Sequence, residues 1–256
     1  MGIPVKNTII YGPVPSRRLG RSLGINLLSK TKKVCTFDCI YCQYGRTSKE
    51  KEFAEFEEVI EEVKKALETY KEIDYLTYSG NGEPTYHPQF YEIAKEIKKL
   101  RDEIRPDVPI ALLTNSTGVI HDKVKKAIIE FIDVPIFKID CSNEEDFKKI
   151  NCPVIDIKFI DIINGIKELR MFLDKLYIQS LFIKGKVSNF TDDSLNEWYR
   201  IMRDIKPDFV QVYSLDRPFD AKGIEEVSID ELKTISRRLN NYGINAKAYG
   251  RRNSQG

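Results

Sequence analysis

Six short apolar runs, each followed by a stretch of helical periodicity, constrain the fold of this 256-residue chain more than any other feature. The runs, at 23–28, 74–79, 110–114, 134–140, 176–183 and 208–214, are rich in β-branched and aromatic residues and bounded by polar residues or glycine, as strands are. The intervening stretches, at 53–70, 90–100, 121–131, 157–173, 193–205 and 228–239, repeat apolar residues every three or four positions. In the first of these Phe53, Phe56, Val59, Ile60, Val63 and Leu67 share one face while Glu and Lys occupy the other. Two-residue turns join only antiparallel strands, and parallel ones need a crossover of a dozen residues or more. Strands alternating with helices therefore predict an α/β fold, a parallel sheet with helices outside it. Six units fall short of the eight that close a TIM barrel.

The length suits one main domain, expected at 23–245, with an N-terminal segment 1–22 and a C-terminal tail 246–256. No run approaches the ~20 apolar residues of a membrane span, and the start Met-Gly-Ile-Pro-Val-Lys has no signal-peptide core, so the expected location is the cytoplasm, with no membrane partner. The net charge of +2 argues against a strong global field. Basic residues cluster locally instead: Lys123, Lys125 and Lys126; Arg237 and Arg238; Arg251 and Arg252; and Arg17, Arg18 and Arg21. The last group immediately precedes the first strand, where a guanidinium is expected to reach a substrate phosphate or carboxylate. Abundant Lys, Glu and Ile beside only 2 His hint at a thermophilic source.

Five cysteines in an intracellular chain point to metal or redox chemistry rather than to disulfides. Cys35, Cys39 and Cys42 lie in Cys-Thr-Phe-Asp-Cys-Ile-Tyr-Cys, a C-x3-C-x2-C spacing. A zinc site would need a fourth Cys or His nearby, and none is present in the sequence around the motif. Three thiolates on one loop can ligate three irons of a [4Fe–4S] cube and leave the fourth open to a second molecule. Cys141 and Cys152, ten residues apart with no companion, are expected to be inert buried thiols. His87 and His121 are too isolated to argue as ligands.

With Tyr41 just before its last cysteine, the motif resembles the signature of the radical S-adenosylmethionine (SAM) superfamily. That resemblance implies a partial (β/α)6 TIM-like barrel, open on one side, with two cofactors: a [4Fe–4S] cluster on Cys35, Cys39 and Cys42, and SAM chelated by the free iron. It also implies stacking of Tyr41 near the adenine. An external one-electron donor of ferredoxin or flavodoxin type is implied as a partner. The flanking sequence resembles the subgroup that contains the archaeal wybutosine-pathway tRNA synthetases, but no cysteine precedes Cys35 to build their second cluster.

In such barrels the chemistry gathers at the C-terminal strand ends. After the second strand, Ser79-Gly80-Asn81-Gly82-Glu83-Pro84-Thr85 resembles the family's Gly-Gly-Glu motif; Gly80, Gly82 and Glu83 are expected to meet the methionine ammonium of SAM. Asn115 ends the third strand and either orients SAM or starts a turn. Asp140 ends the fourth and either binds the ribose diol or caps the helix near Glu144. Gln179, Ser180, Lys184 and Ser214 supply further rim residues, and Arg217 either binds a carboxylate of SAM or substrate or forms a structural ion pair. No catalytic residue beyond these cofactor groups is singled out.

The expected function is reductive cleavage of SAM to a 5′-deoxyadenosyl radical that abstracts hydrogen from a substrate entering the open side, with tRNA the first candidate. The alternative is an activating enzyme acting on a partner protein. A non-catalytic iron–sulfur carrier is a third reading, opposed by the Gly80–Glu83 turn and the polar strand ends.

Overall fold

The computed structural model describes residues 3–216 and 222–250. The chain divides into two compact units, one of Pro4–Thr36 and Arg46–Ile136, the other of Met1–Ile3, Phe37–Gly45 and Phe137–Gly256.

The first unit begins with an antiparallel hairpin, β1 (Ile10–Ser16) and β2 (Gly20–Ile25), in which Ile10 faces Ile25 and Val14 faces Ser22. Two prolines and a glycine hid β1 from a strand reading of the sequence. It is an edge strand, where a missing N–H costs no ladder bond. From β2 onward the strands are parallel: Leu23 pairs with Leu76 of β3 (Tyr75–Tyr78), and Leu76 with Ile110 of β4 (Ile110–Thr114). Beside β4 runs β5 (Val134–Lys138), whose last two residues belong to the other unit. The crossovers are α1 (Phe56–Thr69), α2 (Phe90–Ile104) and α3 (Asp122–Phe131). Val59, Val63 and Leu67 of α1 and Ile93 and Ile97 of α2 are wholly buried. Each such side chain stabilises the unit by about 1.5–3 kcal/mol.

In the second unit β6 (Tyr177–Leu181), β8 (Phe209–Tyr213) and β10 (Ala246–Tyr249) are parallel neighbours, with Ile178 beside Val210 and Val210 beside Ala246. A two-stranded antiparallel ribbon joins β7 (Ile183–Gly185) to β9 (Ile224–Glu226). Residues 246–249, read from sequence as tail, are thus a sheet strand. A short helix α4 (Glu144–Asp146), capped by the Asn143 side chain accepting from Asp146 N–H, runs into a π turn, Phe147–Asn151. Then come α5 (Phe159–Arg170), α6 (Asp192–Ile205) and α7 (Ile229–Asn241). Thr191 caps α6, and Ser228 with Glu231 forms a reciprocal capping box on α7. No described helix is long and apolar enough to cross a membrane.

Candidate functional site

In the first unit, the groups expected at the strand ends form one hydrogen-bonded network around Cys35. Asn26 at the end of β2 accepts from Asn81 N–H (3.1 Å) and donates to the Leu28 carbonyl (3.1 Å). The Asn81 amide is fully buried, accepts from Lys6 N–H and donates to the carbonyls of Lys6 and Ser29. Val34 N–H donates to the Asn81 carbonyl, and Glu83 N–H to the Val34 carbonyl, so Gly82 lies beside Val34 as a one-residue bridge. The two glycines are there for that approach. Gly80 (φ +124°) would bring a Cβ to 2.6 Å from Asn26 Oδ1, and a Cβ on Gly82 (φ +148°) would overlap the Val34 carbonyl.

Glu83 is 1% exposed. Its Oε1 accepts from Thr85 N–H (3.1 Å), Thr85 Oγ1 (2.6 Å) and Thr114 Oγ1 (2.7 Å), and its Oε2 from Asn115 N–H (2.5 Å). Burial pushes its pKa up against the pull of those donors. The carboxylate therefore ties the turn after β3 to the end of β4. Asn115 starts a turn as one reading expected: its Oδ1 accepts from Thr117 N–H (3.0 Å) and Oγ1 (2.8 Å). Its Nδ2 donates to Thr36 Oγ1 at 2.7 Å and to Cys35 Sγ at 3.5 Å. Cys35 is half-buried, and its own N–H donates to Thr47 Oγ1 at 2.8 Å.

In the second unit a parallel network surrounds Cys39 and Tyr41. Asp140 is 2% exposed; its Oδ1 accepts from Leu181 N–H (2.8 Å), and its Oδ2 from the Tyr41 hydroxyl and from Asn151 Nδ2 (3.1 Å). It caps no helix, because Asn143 does. Lys138 lies 3.7 Å from Asp140 Oδ2 and 4.8 Å above the Tyr41 ring. Burial opposes the Lys138 charge, but Asp140, the Tyr213 phenol and the Cys39 and Cys42 thiols outweigh it, so the ammonium is held more firmly than usual. Burial, then the Asp140 charge, pushes the Tyr41 phenol well up, keeping it a neutral donor. Burial also raises the Cys39 thiol, with Lys138 and the Asn151 amide pulling the other way. Cys42 N–H donates to the Cys39 carbonyl, and Asp38 and Ile40 N–H to the carbonyls of Cys152 and Ile150, fastening the cysteine loop to the π turn.

Asn151 and Lys138 escaped the sequence reading. Asn151 lies outside every recognised motif. The only signal for Lys138 was its place two residues before Asp140, at the end of a strand. Asn151 Nδ2 also donates to Tyr41 Oη (3.1 Å) and to Cys39 Sγ (3.5 Å), and its Oδ1 accepts from Cys141 S–H (3.2 Å). Cys141 is buried with its thiol pKa pushed well up, as expected of an inert thiol; Cys152, expected to be buried too, is only half-buried and donates to the Lys149 carbonyl.

The other expected rim residues have partners within the fold. Ser180 donates to the Ile139 carbonyl (2.5 Å), Ser214 to the Phe182 carbonyl (2.7 Å), and Lys184 pairs with Glu231. Gln179 is buried on β6. His87 is buried as well, donating from Nε2 to the Ala54 carbonyl (2.9 Å) and accepting Gln89 N–H at Nδ1 (3.0 Å). The arginine cluster requires a correction. Arg21 pairs with Glu72 (2.6 Å) and Asp74 (3.4 Å) at the start of β3, a strand length from the Gly80–Glu83 turn that follows its other end. The hairpin turn carrying Arg17 and Arg18 is at that same far end, because antiparallel β1 reverses the chain just before β2. Arg217, Arg251 and Arg252 lie outside the described residues.

The three motif thiols, all half-buried, are the right donor set for an iron–sulfur cluster, and two of them already receive N–H···S bonds of the kind such sulfurs accept. Among the described residues no three Cys, His, Asp or Glu side chains are gathered at the spacing of a single metal ion.

Comparison with known proteins agrees with this chemistry. A family model described as "Radical SAM superfamily" matches residues 30–186. A UPF0026 protein of Methanocaldococcus jannaschii is 34% identical over 234 residues, 89% of this chain and 70% of that protein. Among solved structures, a radical SAM methyltransferase from Sphaerobacter thermophilus superposes with a TM-score of 0.69 at 16% identity, covering 90% of this chain and 66% of its own. TYW1 with a lysine-pyruvate adduct bound gives 0.61 at 15% identity, covering 86% and 73%. These likenesses bear out the fold class, a partial (β/α)6 TIM-like barrel of parallel strands with outer helices.

Proposed function

Because this chain belongs to the radical SAM superfamily, we propose that it is an enzyme in which Cys35, Cys39 and Cys42 hold one [4Fe–4S] cluster and a bound SAM is cleaved reductively. The cluster, reduced by an external one-electron donor, supplies the electron that breaks the sulfonium C–S bond, giving a 5′-deoxyadenosyl radical that abstracts a substrate hydrogen.

The observation that carries this reading is the C-x3-C-x2-C loop with amide donors aimed at two of its sulfurs. The rest of the chain supports the cofactors. The Gly80–Gly82 backbone meets the methionine end of SAM, while Glu83 and Asn115 hold that turn and the chain at Cys35 in register through bonds that occupy their side chains. Tyr41 lends its ring face to the adenine, its hydroxyl anchored on Asp140, and Lys138 keeps positive charge beside the cysteine loop. Asp140 acts by holding Tyr41, Asn151 and the end of β6. Arg217 remains a candidate for a carboxylate of SAM or substrate.

The substrate we test first is tRNA, since the sequence resembles the wybutosine subgroup; a partner protein, as for activating enzymes, is the alternative. Anaerobically reconstituted protein, given SAM and dithionite, is expected to form 5′-deoxyadenosine, with Cys39→Ala abolishing both iron content and product. A rise in product with a cellular tRNA fraction supports RNA, and indifference to tRNA moves the search to proteins or metabolites. An intact cluster that yields no product under any of these conditions would revive the carrier reading.

A further inference from the structure

Two asparagine side chains, one in each unit, make the same contact. Asn115 Nδ2 is 3.5 Å from Cys35 Sγ, and Asn151 Nδ2 is 3.5 Å from Cys39 Sγ. An amide could be turned either way about its last bond, so the neighbours must decide which end faces the sulfur. Asn115 has its Oδ1 against the backbone N–H of Thr117, a group that only donates, so its NH2 must face Thr36 and Cys35. Asn151 has its Nδ2 3.1 Å from the Asp140 carboxylate, which when ionised only accepts, and its Oδ1 against the Cys141 thiol. Both sulfurs thus face a donor whose orientation is locked by an unrelated bond. Both amides are buried, 9% exposed for Asn115 and 4% for Asn151, where a hydrogen bond is electrostatically stronger than in water.

A hydrogen bond to a cluster thiolate draws off electron density. The reduced cluster carries one more negative charge, so the bond strengthens on reduction and the reduction potential rises. We propose that Asn115 and Asn151 are positioning residues that tune the iron–sulfur cluster, each raising its reduction potential through one N–H···S bond and bringing it within reach of the electron donor. The inference rests on the cluster reading above and adds which groups set its potential.

The test begins with the wild-type protein, so that no variant has to fold. Reconstituted protein labelled with 15N-asparagine is reduced and examined by electron–nuclear double resonance in H2O and D2O. Couplings from exchangeable protons and from asparagine side-chain 15N are expected at the cluster; an iron-loaded cluster lacking them overturns the proposal and leaves the cluster reading standing. Wild-type protein that takes up no iron would sink that reading and this inference with it. Redox titration then follows Asn115→Leu and Asn151→Leu. Each is expected to shift the midpoint to more negative potential, and the double variant further than either. Thr117→Val, which loosens the Asn115 turn but spares its N–H···S bond, should shift it less than Asn115→Leu. Variants that keep iron and titrate at the wild-type midpoint, or a Thr117→Val shift as large as that of Asn115→Leu, would refute the assignment.

Discussion

Replacing Glu83 by Ala separates a carboxylate that builds the fold from one held ready for a ligand. Glu83 accepts four hydrogen bonds, two from threonine hydroxyls and two from the backbone N–H groups of Thr85 and Asn115. Hydroxyls can re-aim by rotating about the Cβ–Oγ bond. Backbone N–H groups cannot, and each buried donor left unpaired costs about 1–3 kcal/mol. Two of them give roughly 2–6 kcal/mol, set against a total stability on the order of 5–15 kcal/mol. With a urea m-value of about 3 kcal/mol/M, this lowers the midpoint by roughly 0.7–2 M. The assay is urea unfolding of the apo protein, kept anaerobic and reduced and followed by circular dichroism, with SAM absent. A midpoint within ~0.2 M of wild type would refute the reasoning, because the carboxylate would then be dispensable to the fold.

Two further outcomes follow from geometry and burial. Gly82→Ala is expected to cost about 3 kcal/mol or more, since it combines an unfavourable φ of +148° with overlap on the Val34 carbonyl. Gly45→Ala, at φ +71° with nothing within 4 Å of the added methyl, should cost only about 1–2 kcal/mol, and equal melting temperatures for the two variants would show that the overlap is relieved at no cost. Burial depresses the pKa of His87 below the ordinary histidine value of 6.5. Its contribution to stability is therefore full above pH 6.5 and lost as pH falls through the folded-state value. Thermal melts of wild type and His87→Asn should converge between pH 7.5 and pH 5, and a gap that stays constant across that range would contradict the assignment.

The strands and helices that sequence predicted best were those with long apolar periods. Residues 110–114 form β4 as expected, and 90–100 begins α2, which runs on to Ile104. What escaped were elements with a weak strand signal: β1, with its prolines; the three-residue β9; the break that parts β7 from β6, which the run 176–183 had joined; and β10, whose Ala-Lys-Ala-Tyr carries no β-branched residue. The cysteines were legible because their spacing carries chemistry by itself. The surroundings of Glu83 and Asp140 were only half legible. A carboxylate at a strand end reads as a ligand group, and nothing in a linear sequence tells that Thr85, Thr114 and Asn115, or Leu181 and Tyr41, donate to it. Asn151 was invisible for a related reason. Its partner Cys39 is 112 positions away, and only the folded chain brings them together.

The π turn at Phe147–Asn151 holds one residue more per turn than an α-helix would in the same space. Losing a single residue there would let the segment close to an ordinary α turn, and because four α steps of about 100° sweep nearly the same angle as five π steps, Asn151 would keep its bearing on Cys39. The exposed Lys148–Lys149 face would absorb such a deletion with little harm to the core. The segment therefore works as slack in the chain: a related protein could be one residue shorter here and still present its amide at the same place.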